Sequence, residues 1–240
     1  MGGICAYSGG GKYGVDGSKR APVKLIDESA AGTAMFRDSS RSAPHNLYAR
    51  PAQLFGMGGE PAPPPALFSY ATGATNVGTA VVSVNIAFSN QEFAPTYTWE
   101  GGSGTWLRST SAGPFVAKSG TQIAPKNLIV LPAVYAGGVG QIGAEAQLVG
   151  QGAVKVFTNG REIDGTWSRA DKAQRIEFKT ADGKPILLTP GSTWVELPDV
   201  SYAINVVAAP LPAPPSSSTP SPHGSGPAQV ARYHPRVVSS

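Results

Sequence analysis

Polar and apolar positions alternate most clearly between residues 82 and 88, where Val82, Val84, Ile86 and Phe88 are separated by Ser83, Asn85 and Ala87. A period of two predicts a half-buried strand with these four side chains on one face. The same rhythm returns where Lys155 divides Val154 from Val156, and where Glu177 divides Ile176 from Phe178. Residues 127–134 are instead a nearly continuous apolar run. That pattern predicts a strand covered on both faces, interrupted by Pro132, which cannot donate to a ladder. Turn residues divide these segments. Gly101-Gly102-Ser103-Gly104 lies between apolar stretches at 93–99 and 105–108 and reads as a hairpin tip. Asn159-Gly160 predicts a type I′ turn, whose central positions both need positive φ, leading to a returning strand at 161–167. Asp182-Gly183 turns the strand near 176–178 toward 186–188, and strands at 193–197 and 202–207 complete a β-rich domain over 77–207.

Upstream, the pattern is mixed. Short strands are expected at 4–7 and 23–26, with a Gly-rich loop over 8–17. Short helices are expected at 30–36 and 47–55, with Pro51 marking a first turn or a break, and Asn46 placed to cap the second helix. Residues 58–76 hold Pro61, Pro63, Pro64 and Pro65 after a Gly cluster and read as an extended linker that packs poorly. Residues 208–240, rich in Pro and Ser, are expected to be a disordered tail. The fold class is therefore α+β: the C-terminal part of a mixed α/β domain at 1–57, then a mainly antiparallel β-rich domain.

Composition narrows the function classes. Of 240 residues, 30 are Gly, 22 are Pro and only 14% are charged, which favours many short strands over long helices. The formal net charge of +4 includes Arg232 and Arg236 of the tail, and no dense Lys/Arg cluster stands elsewhere. Nucleic acid is not an expected partner. Cys5 is the single cysteine, so neither an internal disulfide nor a cysteine-rich zinc site can form. No run of about 18 apolar residues is present, so no transmembrane segment is expected. No basic and apolar leader precedes Cys5, so no signal peptide or lipid-attachment site is expected in this chain. The opening residues already read like a domain interior, which suggests an N-terminal truncation.

Several stretches imitate catalytic or cofactor motifs. Gly138-Val139-Gly140-Gln141-Ile142-Gly143 spells the dinucleotide fingerprint, yet Gly150-Gln151-Gly152 follows too soon for the helix that would face a pyrophosphate. A flexible loop or hairpin is expected. Gly9-Gly10-Gly11-Lys12 lacks the earlier Gly and the following Ser or Thr of a phosphate loop. Ser103 lacks the flanking Gly of a nucleophile elbow. No cofactor and no metal site is expected, and the tail residues His223 and His234 read as solvated.

The densest group of functional side chains runs from Arg37 through Asp38, Arg41, His45 and Asn46 to Tyr48. His45 is the one histidine outside the tail. A structural role, a ligand-binding role and catalysis by His45 with Asp38 are all open for it. Tyr97, Trp99, Trp106, Trp167 and Trp194 all fall on predicted strands, where core packing competes with a carbohydrate-stacking platform.

The stretch Arg41-Ser42-Ala43-Pro44-His45-Asn46-Leu47-Tyr48 resembles the R-x-A-P-H-N-L-Y signature of YerB-like bacterial lipoproteins, built from domains of unknown function numbered 3048. Tyr97-Thr98-Trp99, Thr105-Trp106-Leu107-Arg108 and Ile123-Ala124-Pro125-Lys126-Asn127-Leu128-Ile129-Val130 resemble the motifs that follow in that family. So do Gly150-Gln151-Gly152 with Val156-Phe157-Thr158-Asn159-Gly160, Gly165-Thr166-Trp167, and Pro190-Gly191-Ser192-Thr193-Trp194. Trp106 stands where the family usually has Tyr. The resemblance spans about residues 3–200 and implies a two-domain extracytoplasmic protein, membrane-anchored at full length, with no reaction to carry over. The leading expectation is a non-catalytic envelope binding or interaction module whose partner is an envelope protein or a cell-wall glycan. Arg41, His45, Asn46, Arg108 and Asn127 are its candidate binding residues. The alternatives are an envelope-polymer hydrolase using His45 with a nearby carboxylate, and a truncated fragment without independent function.

Overall fold

A computed structural model describes residues 4–8, 24–59, 66–88, 90–138 and 144–210. Residues 1–209 form one compact unit. The second unit, 210–240, lies outside the described residues except for Pro210, as do the Gly9–Lys12 motif and most of the dinucleotide-like motif.

The N-terminal part starts with strand β1 (Ile4–Tyr7), which pairs in parallel with β2 (Lys24–Asp27). A 3-10 turn (Gly32–Ala34) leads into β3 (Met35–Arg37), which pairs antiparallel with β4 (Leu47–Ala49). Helix α1 (Pro51–Met57) follows. Ile26, Ala31, Ala34 and Leu54 form its small core, flanked by Ile4 and Met35. The helix expected at 30–36 is therefore a tight turn and a strand, because Gly32 sits at φ 52 and Met35–Arg37 find a pairing partner. The helix expected from Leu47 starts at Pro51 instead, in the first-turn position where a missing N–H breaks no bond. Asn46 accordingly caps nothing.

Among the described residues the larger part has twelve strands: β5 (Thr79–Ile86), β6 (Thr96–Glu100), β7 (Thr105–Thr110), β8 (Gly113–Pro114), β9 (Asn127–Val130), β10 (Tyr135–Ala136), β11 (Glu145–Ala146), β12 (Gly150–Thr158), β13 (Arg161–Arg169), β14 (Glu177–Lys179), β15 (Thr193–Glu196) and β16 (Ile204–Ala208). The main sheet runs β15-β9-β12-β13-β5-β6-β7-β8, with β14 beside β13 and β16 beside β5. Its pairs are antiparallel except β15 with β9. The sheet curls back on itself. The backbone amides of Trp106 and Arg108 on β7 donate to Pro125 O (2.8 Å) and Ile123 O (2.9 Å), just ahead of β9.

Two cores result, one on each face of β9. Leu128 and Val130 point into the curl with Val81, Val84, Ile86, Tyr97, Trp106 and Phe157. Ile129 and Leu131 point the other way, toward Val154, Val156, Ile163, Trp167, Phe178, Ile186 and Leu188. The apolar run at 127–131 is thus covered on both faces, and the ladder stops before Pro132.

The alternation in β5 slips once. The register with β16 jumps between Val207 and Ala208, so Val82 bulges outward and is 40% exposed, while Val81 takes the inner place. Phe93 also leaves the expected strand; it ends a 3-10 turn (Gln91–Phe93) whose start is capped by the Asn90 side chain. Asn159 and Gly160 take φ 47 and φ 69 at the β12–β13 turn, as the type I′ geometry requires. A side chain at Gly160 would meet Trp99 Nε1 at 2.6 Å. Within the stretch expected to be a linker, Ser69 and Ala71 exchange backbone bonds with Leu188, and Phe68 packs on the second core. At the other boundary, β16 carries the ladder through Ala208. The residues flanking the dinucleotide-like motif, β10 and β11, pair as the two arms of a hairpin. No helix among the described residues is long and apolar enough to cross a membrane.

Candidate functional site

Arg108 lies on the inward face of β7, two residues after Trp106, and directly opposite Tyr97 on β6. Alternation alone would bury it, and it does: its side chain keeps 11% exposure. Burying a guanidinium is costly unless its charge and its N–H groups find partners. Glu196 supplies the charge from β15, with Oε1 3.6 Å from Arg108 Nε. Tyr97 links the two: its hydroxyl donates to Glu196 Oε1 (2.5 Å) and accepts from Arg108 Nε (3.1 Å). Trp194 Nε1 donates to the same carboxylate oxygen at 3.0 Å.

The flat faces of the guanidinium are covered by aromatic rings. Arg108 Cζ lies 4.0 Å from the centre of Phe115, 5.3 Å from Trp194 and 5.9 Å from Tyr97. Such contacts stabilise a desolvated cation. Phe115 and Trp194 meet edge to face at 6.5 Å. Burial, then the neighbouring Glu196 charge, pushes the Tyr97 hydroxyl far above its ordinary range, so it remains an O–H donor. The two terminal nitrogens are left over. Arg108 Nη1 is buried and has no hydrogen-bond partner among the described residues.

The other sequence-selected residues lie elsewhere and serve differently. Asn127 is fully buried. Its Nδ2 donates to Thr189 O (2.9 Å) and Thr193 Oγ1 (3.2 Å), and its Oδ1 accepts from Thr158 Oγ1 (2.7 Å) and Thr189 N (3.1 Å). An amide so enclosed ties β9, β12 and the loop before β15 together and presents nothing to a partner. Asn46 is also buried, 8% exposed. Its Oδ1 accepts from Arg37 Nη1 at 2.8 Å. Arg37 in turn clamps Glu28 through Nε and Nη2, both at 2.9 Å, and the Ser8 hydroxyl donates to the same carboxylate. The Ser8 hydroxyl and then Arg37 hold the Glu28 carboxyl below its ordinary range.

Arg41 and His45 are exposed in the turn between β3 and β4. The Asp38 carboxylate accepts from the Ser40 amide (2.9 Å) and hydroxyl (2.6 Å), and among the described residues no hydrogen bond joins it to His45. The sequence thus brings Arg41, His45 and Asn46 near one another along the chain, while Arg108 and Asn127 belong to separate networks of the larger part. Of the strand aromatics, Tyr97, Trp106 and Trp167 are buried as core residues, and the five share no exposed face. Sequence reading does not reach Glu196 or Phe115. The one available signal is the i, i+2 spacing of Trp194 and Glu196, which puts both on one face of a strand.

No group of three or more His, Cys, Asp or Glu residues that could hold a metal is present among the described residues. Two concavities lie away from Arg108. One, about 170 Å³, is lined by residues including Phe68, Arg175, Phe178 and Ile186. The other is an open cleft of about 700 Å³ that includes Gln151, Arg169 and Glu177.

The sheet, its two cores and the buried Arg108 cluster define a β-rich domain with a known counterpart. Residues 84–195 match the family described as protein of unknown function (DUF3048), C-terminal domain. The fold is similar to the crystal structure of YerB from Bacillus subtilis, with a TM-score of 0.65 and 18% identity over 84% of this chain and 70% of that one. No curated protein matches. Over residues 84–195 the chain is thus similar to the DUF3048 C-terminal domain, and its fold is YerB-like.

Proposed function

We propose that this protein is a non-catalytic binding module of the cell envelope, acting outside the cytoplasm and recognising an envelope protein or a cell-wall glycan. The observation that carries the reading is Arg108, held by Tyr97 and Glu196 between aromatic rings, with its two terminal nitrogens unbonded among the described residues. Polar groups fixed in this way on a rigid sheet are suited to recognition, since little order is lost when a ligand arrives. The hydrolase alternative gains no support from His45, which stands exposed with no carboxylate bonded to it among the described residues.

Residues 1–57 are read as α/β in character, which the parallel β1–β2 pair and helix α1 support. Arg41 and His45, exposed on the β3–β4 turn, are a second possible contact point in that part.

The test is affinity capture from an envelope extract with the wild-type chain and the Arg108→Gln and Phe115→Ala variants. Partners retained by the wild type and lost by both variants are the expected result. An extract that yields nothing above a control with scrambled surface residues overturns the reading.

A further inference from the structure

We infer that the Arg108–Glu196 cluster is a docking point for an uncharged saccharide, through adjacent hydroxyls. The inference rests on the binding-module reading and gives its ligand a chemical class.

Charge decides first. Arg108 and Glu196 are one cation and one anion, each about nine-tenths buried and 3.6 Å apart at their nearest atoms. Their charges balance. An incoming carboxylate would add a second anion beside Glu196 in a poorly solvated place, with Arg108 already shared. An incoming cation would meet Arg108 in the same way. A neutral ligand avoids both penalties.

Hydrogen bonding decides next. Arg108 Nη1 is enclosed, whereas Nη2 is not and donates to no group among the described residues. Glu196 Oε1 takes Tyr97 and Trp194, while Oε2 accepts no bond from the described residues. The ion pair therefore carries both a free donor and a free acceptor. One hydroxyl can accept from the guanidinium while its neighbour donates to the carboxylate, an arrangement that adjacent hydroxyls of a sugar ring supply. An apolar side chain can satisfy neither group.

Shape completes the case. Phe115 is 42% exposed although its ring lies 4.0 Å from the guanidinium carbon. One face of the ring is thus held by the cluster, and an exposed part remains to pack against the C–H face of a sugar. An aromatic ring beside a few convergent polar groups is a common composition for a small-ligand site. The 11% of the Arg108 side chain that stays exposed excludes the enclosed Nη1, so a hydroxyl reaches the guanidinium at its other terminal nitrogen.

The experiment is a two-dimensional NMR titration of the ¹⁵N-labelled full chain with a soluble N-acetylglucosamine oligomer, in parallel with acetate and with an uncharged dipeptide. The oligomer is expected to shift the Trp194 indole N–H and the Arg108 side-chain signals, with the other two ligands silent. Phe115→Ala, at an exposed position, and Glu196→Gln, which keeps the side-chain shape, are each expected to weaken binding by about tenfold. Silence toward the oligomer overturns the inference, as does a response to acetate or to the dipeptide at these same signals. Capture of an envelope protein that survives Phe115→Ala and Glu196→Gln also overturns it, while leaving the binding-module reading in place.

Discussion

Asn127 holds its place with bonds on both sides of one amide, accepting from Thr158 and Thr189 and donating to Thr189 and Thr193. Replacing it with Ala strands several buried partners at once, including the Thr189 amide. Asn127→Ala is expected to lower stability by about 3 kcal/mol, seen as a lower urea midpoint at unchanged slope. A midpoint within error of wild type would show that water replaces the amide freely. Glu28 makes a prediction of different sign behaviour. Ser8 and Arg37 hold its carboxyl below the ordinary value of 4.5. The stability it contributes is therefore present above that value and is lost as the pH falls through the lowered folded value. A carboxyl carbon titration by NMR should place the Glu28 midpoint below 4.5, and Arg37→Gln should move it upward. A wild-type midpoint at or above the ordinary value contradicts the clamp. Neither role is legible in the sequence: Asn127 stands out there only as a candidate binding residue, and a Glu after a short strand looks like an ordinary surface residue.

At the scale of elements, turn chemistry was the most legible feature. Asn159-Gly160 predicts its own φ values because few residues other than Gly and Asn enter the left-handed region without strain. Gly160 has a second constraint that the sequence does not show: the Trp99 indole sits where a Cβ would be. Gly160→Ala is therefore expected to cost about 2 kcal/mol or more, from backbone strain plus a steric conflict. Asn159→Gly, which meets no conformational barrier, should change stability far less. Thermal unfolding of both variants checks the pair, and equal effects would refute the role of Trp99. Elements governed by pairing were harder to read. Residues 30–36 carry a helix-compatible pattern, but Met35–Arg37 gain more by pairing with Leu47–Ala49. Val82 obeys the period of two in sequence, yet the bulge opposite Val207 and Ala208 turns it outward.

At the scale of the whole molecule, β9 is the shared wall of two cores, and its successive side chains feed them alternately. The cores are therefore mechanically coupled through one four-residue strand. The second core also draws Phe68 from a stretch whose composition reads as linker, and Ser69–Ala71 bond to Leu188. A chain beginning at residue 66 should accordingly be more stable than one beginning at 77, by about 2 kcal/mol or more, because the shorter one leaves a hole beside Phe178. Urea unfolding followed by the tryptophan signal of the two chains measures the difference, and identical midpoints would place the boundary at 77 after all.

Local chemistry by itself determined the β-rich character, the main hairpins, the doubly covered strand at 127–131 and the exclusion of a disulfide. Each follows from the side-chain period, from turn residues with restricted φ, or from a count. Arg108 was singled out from its residue type and motif. Part of what surrounds it is local, since Phe115 returns to it where the chain doubles back between β7 and β8, but its counter-charge was decided by tertiary structure alone: Glu196 and Trp194 reach it because β15 lies parallel to β9. Burial of a charge is intelligible only once its counter-charge is in place, and no local pattern tells which distant strand will bring one.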